Sequence, residues 1–276
     1  MFEENGRGRQ ILPLGHRDSQ LETYGDTLDP SVLSPDGRAN RIEGIITART
    51  PLDRNGTVRV VPYQSAEMTF STLDCRPLTA VDGQRRDVSV HGVVLAAGTS
   101  SRYGSANKLL AEISGTPVVR RATRTTVESR SDGVTVVVGH EADRVWDCVS
   151  DLSVSRRKNE RYEQGQSTSV HEGVAAARER SADAVILSLG DMPHVSVKSV
   201  DALIEAYERD AGDALALAHD GTRGNPVLFD ASHFEALLGV SGDVGGRDVL
   251  LSARDGLLID VSDVGVVRDI DTHEDL

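Results

Sequence analysis

Residues 91–110 read HGVVLAAGTSSRYGSANKLL, and this stretch is the strongest indication of the fold. Apolar residues at 93–95 run into Ala-Ala-Gly and a short polar loop, which is typical of a buried strand that ends in a tight turn. Small residues in such a loop leave backbone N–H groups accessible to a phosphate. Arg102 and Lys108 follow, and their charges can neutralise a triphosphate. The stretch therefore predicts a phosphate-binding loop at the end of a strand.

Composition and charge narrow the classes of protein to which the chain can belong. Its 276 residues carry a formal net charge of −13, whereas nonspecific nucleic-acid binding requires a basic surface. No apolar run is long enough to cross a membrane, and none resembles a signal peptide. Two cysteines do not suggest a disulfide framework. We therefore expect a cytoplasmic protein with no nucleic acid and no membrane among its partners.

The charged residues are strongly biased. The chain has 43 acidic residues, and only three of its 30 basic residues are lysines, Lys108, Lys158 and Lys198. Such an acidic, lysine-poor surface resembles that of halophilic proteins, although a GC-rich genome also favours arginine over lysine. Because lysines are so rare here, the position of Lys108 beyond the polar loop favours a phosphate-binding role over that of a lone surface lysine.

The sequence divides near residue 90. Residues 1–89 are polar and rich in Gly, Pro, Asp and Arg, and we expect a largely disordered extension or a minor β appendage. Segments 42–48 and 57–62 could form a hairpin, because Asp-Arg-Asn-Gly at 53–56 is typical of a turn. Residues 90–276 are expected to form one domain.

From residue 90 onward, strand patterns alternate with helical ones. We expect strands at 93–96, 133–138, 183–189, 214–218, 226–229 and 257–261, and helices at 116–129, 141–149, 167–180, 197–209, 232–238 and 247–253. This alternation predicts an α/β fold with a mostly parallel sheet covered on both faces. Since ligands of such folds bind beyond the carboxyl ends of the strands, the loop after residue 96 and Asp191 are expected to converge on one site.

Six segments carry a resemblance to a known family. They read L-A-A-G-x-S-x-R-x-G-x-x-x-K-L-L at 95–110 (one residue more before the lysine than in the family pattern), N-x-x-Y-x-x-G-Q-S-x-S at 159–169, L-G-D-M-P at 189–193, R-G-N-P-V-L-F at 223–229, G-D-V-G-G-R at 242–247 and D-I-D-T-H-E-D-L at 269–276. In this order they resemble the MobA-like nucleotidyltransferases, and most of all the molybdenum cofactor cytidylyltransferase branch. The resemblance covers residues 91–276 and implies a three-layer Rossmann-like fold with a mostly parallel mixed sheet.

The resemblance implies transfer of a nucleoside monophosphate from an NTP to a phosphorylated acceptor, with release of pyrophosphate. In the cytidylyltransferase branch the donor is CTP, the acceptor is the phosphate of molybdopterin, and a molybdenum hydroxylase is the expected client. Catalytic roles fall to Arg102, Lys108 and Asp191. The expected nucleotide contacts are Leu95, Ala96, Ala97, Gly98, Thr99, Ser100, Arg102, Lys108, Gly165, Gln166 and Ser167.

The implied reaction uses a divalent cation, which we expect to be Mg²⁺. This ion commonly takes one or two carboxylates together with substrate phosphates and water. Asp191 follows a buried strand and is the best candidate ligand, and Asp269 or Asp271 supplies a second carboxylate. Asp269 and Asp271 alternate, so both would lie on one side of an extended segment. The alternative for Asp271 is that it caps a last helical turn.

Acceptor binding is expected at Arg223 and Arg247, which suit an anionic group. Two residues depart from the pattern of the branch, Asn225 in place of the usual His and Tyr103 in place of the usual Met. Because Asn225 lies on the acceptor side, a phosphorylated sugar, alcohol or cobamide precursor stays open as the acceptor. The alternative from another class of protein is a non-catalytic maturation factor for molybdoenzymes.

Overall fold

The computed structural model describes residues 73–100, 103–104 and 106–276; the expected hairpin at 42–48 and 57–62 lies outside them, as does Arg102. The strands of the described part are β1 (Asp74–Pro77), β2 (Val90–Ala96), β3 (Glu112–Ile113), β4 (Thr116–Pro117), β5 (Gly133–Val138), β6 (Val154–Lys158), β7 (Ala184–Leu189), β8 (Ala214–His219), β9 (Thr222–Asp230) and β10 (Gly256–Asp260). Its α-helices are α1 (Val118–Glu128), α2 (Ala142–Asp147), α3 (Gln166–Glu179), α4 (Val197–Glu208), α5 (Phe234–Leu238) and α6 (Arg247–Ser252). None of these helices is long and apolar enough to cross a membrane.

Eight of these strands form one sheet in the order β1-β10-β8-β9-β7-β2-β5-β6. Neighbouring strands are parallel except at β9, which runs antiparallel to both β7 and β8. Strands β3 and β4 form a separate two-stranded ribbon. The expectation of a mostly parallel mixed sheet in a Rossmann-like α/β fold is therefore confirmed.

Helices cover both faces of the sheet, because successive residues of a strand point to opposite sides. Val93 of β2 packs in a cluster with α3, α5 and α6, whereas the adjacent Val94 packs in a cluster with α1 and α2. Helix α4 begins after Ser196, whose side chain accepts a hydrogen bond from Ser199 N, and packs its apolar side on β7, β8 and β10. Strands buried on both faces explain the continuous apolar runs that predicted them.

Most predicted elements agree with the observed ones to within a few residues, and the differences have local causes. The helix expected from residue 116 begins at Val118, because residues 116–117 pair with residues 112–113. The sequence did not predict β1 and β6, which form the two edges of the sheet. An edge strand has one neighbour and can expose polar side chains, so neither segment (DCRP and VSRRK) shows an apolar run.

The sheet also begins upstream of residue 90, where we expected its domain to start. β1 pairs in parallel with β10. Val81 is buried in the cluster that contains the apolar side of α4, and Arg86 N donates a hydrogen bond to Glu208 O at the end of that helix. Residues 74–89 are therefore packed on the sheet, although their polar composition does not suggest it.

The ends of β2 and β7 lie close together and determine where the candidate site lies. Gly190 N, just after β7, donates a 2.9 Å hydrogen bond to Leu95 O near the end of β2. A Cβ at Gly190 would lie 3.1 Å from that oxygen and 3.2 Å from the Cβ of Ala96, so a larger residue would push the strand ends apart. Asp191 therefore lies beside the loop that follows β2.

Candidate active site

An ion-pair cluster lies where the loop after β2 meets the end of β7. Lys108 Nζ lies 2.7 Å from Asp191 Oδ2 and 3.1 Å from Asp271 Oδ1. The side chains of Lys108 and Asp191 are only 15% and 20% exposed, and that of Asp271 is 36% exposed. The structure thus brings together three of the residues to which the sequence assigns catalysis and metal binding.

Burial and charge act in opposite directions on this cluster. Burial alone would lower the pKa of Lys108, but attraction by Asp191 and Asp271 outweighs it and raises that pKa, so the ammonium stays charged. Burial raises the pKa of the Asp191 carboxyl; Lys108 opposes this rise, and the like charge of Asp269 adds to it. Two carboxylates therefore contact Lys108, and the charge of a third, Asp269, acts on Asp191. This concentration of negative charge favours a bound cation.

The carboxylates fit a cation that also binds phosphates. In the described ranges, no three His, Cys, Asp or Glu side chains come close enough together to form a metal cage. Mg²⁺ does not require one, since it is commonly held by one or two carboxylates plus phosphates and water. Asp191 and Asp269 could supply such a pair, because the like charge of Asp269 acts on the Asp191 carboxyl. Both Asp191 and Asp271 contact the Lys108 ammonium.

Two side chains of the polar loop hold the backbone at Lys108. Ser100 has a φ of +56°, which reverses the chain after the strand. Its Oγ accepts a 3.2 Å hydrogen bond from Lys108 N and donates one of 3.3 Å to Asn107 Oδ1. Asn107 Oδ1 also accepts from Leu109 N, so the chain enters a 3₁₀ turn at Lys108–Leu110. The lysine is therefore held at its backbone.

The C-terminal segment completes the cluster. Ile270 N donates a 2.9 Å hydrogen bond to Asp191 O, and the Ile270 side chain is buried against Tyr103 and Val118. Asp269 and Asp271 flank this anchored residue. Asp271 N donates to Asp275 Oδ2, at a 3₁₀ turn, while the Asp271 carboxylate contacts Lys108. The expected alternative, a capping role at that turn, belongs to Thr272 instead.

The expected nucleotide-binding residues of the loop divide into buried and exposed ones. Residues 95–96 lie in β2 and pair with β5. Ala97 is only 3% exposed. A Cβ added at Gly139, just after β5, would lie 2.8 Å from the Cβ of Ala97, so the loop packs closely on the end of β5. Residues 98–99 are exposed, as are Gly104 and Ala106 farther along the described part of the loop.

Segment 159–169 is organised by a side chain that the sequence did not assign to the site. Asn159 is fully buried, and its Nδ2 donates 2.9 Å hydrogen bonds to Thr168 Oγ1 and Ser169 Oγ. Its Oδ1 accepts a hydrogen bond from Arg161 N. Asn159 therefore holds the start of α3 against the end of β6. Its place at the head of the N-x-x-Y-x-x-G-Q-S motif is the signal that could have found it.

Gly165 joins this segment to the G-D-V-G-G-R loop at 242–247. Its φ is +107°, and a Cβ there would lie 2.4 Å from the carbonyl of Gly242. Ser167 N donates a 3.0 Å hydrogen bond to the same Gly242 oxygen, and a Cβ at Gly245 would lie 3.0 Å from Gln166 Oε1. The expected base-binding loop is thus in direct contact with the loop that precedes Arg247.

The two arginines expected to bind the acceptor lie close enough for their charges to interact. Burial lowers the pKa of Arg223, on β9, and the positive charge of Arg247, at the start of α6, lowers it further. Arg223 is half-buried and Arg247 is exposed. Two like charges held together favour an anionic group that contacts both.

Comparison with known protein families identifies the family of this chain. Residues 92–256 match the family described as the MobA-like NTP transferase domain. The chain belongs to this family. It is thus a nucleotidyltransferase, and the MobA-like domain contains the β2 loop, Lys108, Asp191 and both arginines. The C-terminal carboxylates lie beyond the matched residues.

The similarity to two curated MobA-like relatives covers most of the length of each relative. The purine catabolism protein PucB of Bacillus subtilis is 32% identical over 194 residues, 67% of this chain and 92% of that protein. The nicotine blue oxidoreductase of Paenarthrobacter nicotinovorans is 30% identical over 195 residues, 68% of this chain and 94% of that protein. Proteins with quite different names therefore share this MobA-like sequence.

Solved structures agree on the MobA-like fold. A nucleotidyl transferase from Methanothermobacter thermautotroptrophicus superimposes with a TM-score of 0.58 at 24% identity, covering 68% of this chain and 94% of the other. A Mycobacterium tuberculosis H37Rv protein in complex with manganese superimposes with a TM-score of 0.54 at 25% identity, covering 68% and 95%. The domain that contains the eight-stranded sheet therefore has the fold of known nucleotidyltransferases.

Proposed function

We propose that the chain transfers CMP from CTP to the phosphate of molybdopterin, with Mg²⁺ as the cofactor. An oxygen of the acceptor phosphate attacks the α-phosphorus of CTP, the bond from that phosphorus to the bridging oxygen of the β-phosphate breaks, and pyrophosphate leaves. The observation that carries the proposal is the contact of Lys108 with Asp191 and Asp271 at the end of a glycine–serine loop. The product, the cytosine dinucleotide form of the cofactor, suits a molybdenum hydroxylase client.

Lys108 stabilises the charge that develops at the transferred phosphoryl group. Its raised pKa keeps the ammonium charged at neutral pH, and Asp271 orients it. Charge that is already in position costs no reorganisation when the reaction occurs. The backbone at residues 98–100 holds the β- and γ-phosphates, and Arg102 is assigned to the phosphate tail from the sequence alone.

Asp191 and Asp269 hold the divalent cation in this proposal. When bound, the cation neutralises charge on the nucleotide phosphates. Support comes from the like-charge effect of Asp269 on Asp191, and from the manganese complex of the mycobacterial protein. Asp271, which the sequence also nominated, acts on Lys108 instead.

The remaining residues bind the two substrates. Residues 165–167 contact the base and ribose of CTP, and Arg223 and Arg247 bind the acceptor phosphate. The contact between Ser167 N and Gly242 O supports this division, because it joins the nucleotide loop to the loop that leads into Arg247. The two substrates would thus meet across one pair of touching loops.

The proposal is tested by incubating the purified chain with molybdopterin, Mg²⁺ and each of the four NTPs in turn. Pyrophosphate release should be fastest with CTP, and Asp191→Ala should abolish it. A preference for GTP would contradict the base assignment, and turnover only with a sugar, alcohol or cobamide-type phosphate would contradict the acceptor. No turnover, with client maturation retained in Asp191→Ala, would favour a maturation factor.

The name of one relative supplies a control for the class of reaction. Because that relative is named a nicotine blue oxidoreductase, redox turnover of nicotine blue should be measured in the same preparation. We expect none. Redox turnover of nicotine blue without pyrophosphate release from an NTP would contradict the transferase chemistry proposed for the cluster around Lys108.

A further inference from the structure

A ring stack joins the phosphate loop to the C-terminal segment. The rings of Tyr103 and His273 lie with their centroids 4.0 Å apart and their planes inclined by 17°. Tyr103 is only 5% exposed, whereas His273 is an exposed residue, so the imidazole covers the tyrosine ring. The rest of the Tyr103 ring packs with Val118 and Ile270. This apolar contact belongs to neither substrate site described above.

The stack is connected at both ends to the ion-pair cluster. On the loop side, Tyr103 N donates a 2.9 Å hydrogen bond to Ser100 O, and Ser100 Oγ accepts from Lys108 N. On the C-terminal side, His273 follows Asp271, which contacts the Lys108 ammonium. The ring pair therefore links the segment that carries the lysine to the segment that carries the carboxylates.

Polar contacts also hold the C-terminal carboxylates in place. Residues 268–272 belong to no strand or helix. Among their described contacts with the rest of the site are the hydrogen bond from Ile270 N to Asp191 O and the ion pair of Asp271 with Lys108. The ion pair joins charged groups that substrate and cation would also contact. The ring stack is independent of those charges, so it can hold the segment whether or not ligands are bound.

We propose that Tyr103 and His273 are positioning residues whose stack orders the phosphate loop and the C-terminal segment as one unit. The stack keeps Asp269 and Asp271 beside Asp191 and Lys108 before substrate arrives. Neither ring is among the residues to which a substrate or metal contact is assigned above. That the ordered unit serves nucleotidyl transfer rests on the proposed function, but the ordering itself does not.

Amide hydrogen exchange of the full chain, without nucleotide or metal, tests the ordering. Removing one ring by His273→Ala should speed exchange about two- to tenfold in peptides that cover both 97–110 and 266–276, as expected for the loss of one aromatic pair. Tyr103→Phe keeps the ring and should exchange like the wild type. The matched control is His233→Ala, which removes the edge-on pair with Phe229 near the C-terminal end of β9, together with the contact of His233 Nε2 with Asp213 Oδ2.

Three outcomes would overturn the proposal. Unchanged exchange in both peptides means that the stack holds nothing. Faster exchange confined to 266–276 means that the loop is not coupled to the segment. Faster exchange throughout the domain means a general structural role. If the wild type transfers no nucleotide at all, the proposed function fails while the exchange result still decides the role of the stack.

A kinetic measurement then connects the ordering to transfer. His273→Ala should raise the Mg²⁺ concentration for half-maximal transfer about two- to tenfold, with a smaller change in kcat at saturating Mg²⁺, because the carboxylates are mispositioned and not removed. Tyr103→Phe should restore the wild-type value relative to Tyr103→Ala. An unchanged Mg²⁺ requirement in both ring-deleting variants would contradict the positioning role.

Discussion

The backbone N–H of Ile270 donates a hydrogen bond to the carbonyl oxygen of Asp191. The C-terminal segment therefore crosses the end of β7, with Ile270 buried and a carboxylate on each side of it. This crossing explains how Asp269 can act on the charge of Asp191 while Asp271 contacts Lys108. A single backbone contact thus assigns different partners to two aspartates that are nearly equivalent in sequence.

Replacing Lys108 should remove most of the transfer activity. We expect Lys108→Met to lower the rate of CMP transfer by a factor on the order of 10² to 10³, because one preorganised charge at the reacting group is lost. Pyrophosphate release at saturating CTP measures the effect. Lys198→Met, at an exposed lysine on α4, is the matched control and should behave like the wild type.

The two C-terminal aspartates should have separable roles. Asp269→Asn is expected to raise the Mg²⁺ concentration for half-maximal transfer at least about tenfold, since even indirect supports of a metal cost that much. Asp271→Asn should instead lower kcat with a smaller change in the Mg²⁺ requirement, because it frees the Lys108 ammonium from one partner. The reverse pattern in a metal titration would exchange the two assignments.

The paired arginines should affect the acceptor and not the nucleotide. We expect Arg223→Ala to raise the KM for the phosphorylated acceptor about 10- to 100-fold, the usual effect of losing a hydrogen bond to a charged group. Arg247→Ala should have a smaller effect, because Arg247 is exposed. The KM for CTP should stay within about twofold in both variants. A comparable rise in the KM for CTP would place these side chains on the nucleotide.

A buried histidine should make the fold sensitive to acid. His91 is 2% exposed and its Nε2 lies 2.9 Å from Thr135 Oγ1. Burial, with a contribution from the charge of Arg180, lowers the pKa of His91 from 6.5 to about 4. The unfolded chain therefore binds a proton at a higher pH than the folded one. Stability falls as the pH drops from 6.5 toward 4, by at most about 3 kcal/mol.

Denaturant unfolding followed by the fluorescence of Trp146 measures this loss. His91→Gln removes the titrating group and keeps a hydrogen-bonding side chain, so the dependence of the unfolding free energy on pH should flatten between pH 6.5 and 4. His194→Gln, at an exposed position, is the control and should leave the pH dependence unchanged. An equal slope in His91→Gln and the wild type would show that other groups cause the acid sensitivity.

Much of the fold could be predicted because its signals are local. The central strands β2, β5 and β7 are continuous apolar runs, and α4 shows a clear apolar stripe, since these elements are buried by the layers around them. The edge strands β1 and β6 could not be predicted, because they hold their places by backbone pairing and carry polar side chains. The role of Asn159 could not be predicted either, because the burial of its side chain depends on how β6 and α3 meet.

The sequence by itself determined the α/β class, the loop at 96–100 and the nomination of Lys108, Asp191 and the C-terminal aspartates, because residue type and spacing carry that information. Only the tertiary structure decided which aspartate contacts Lys108, which loop touches Gly165, and that His273 covers the Tyr103 ring. Those contacts join segments far apart in the chain. They depend on where strand ends and the C-terminal segment cross, and no local pattern encodes such a crossing.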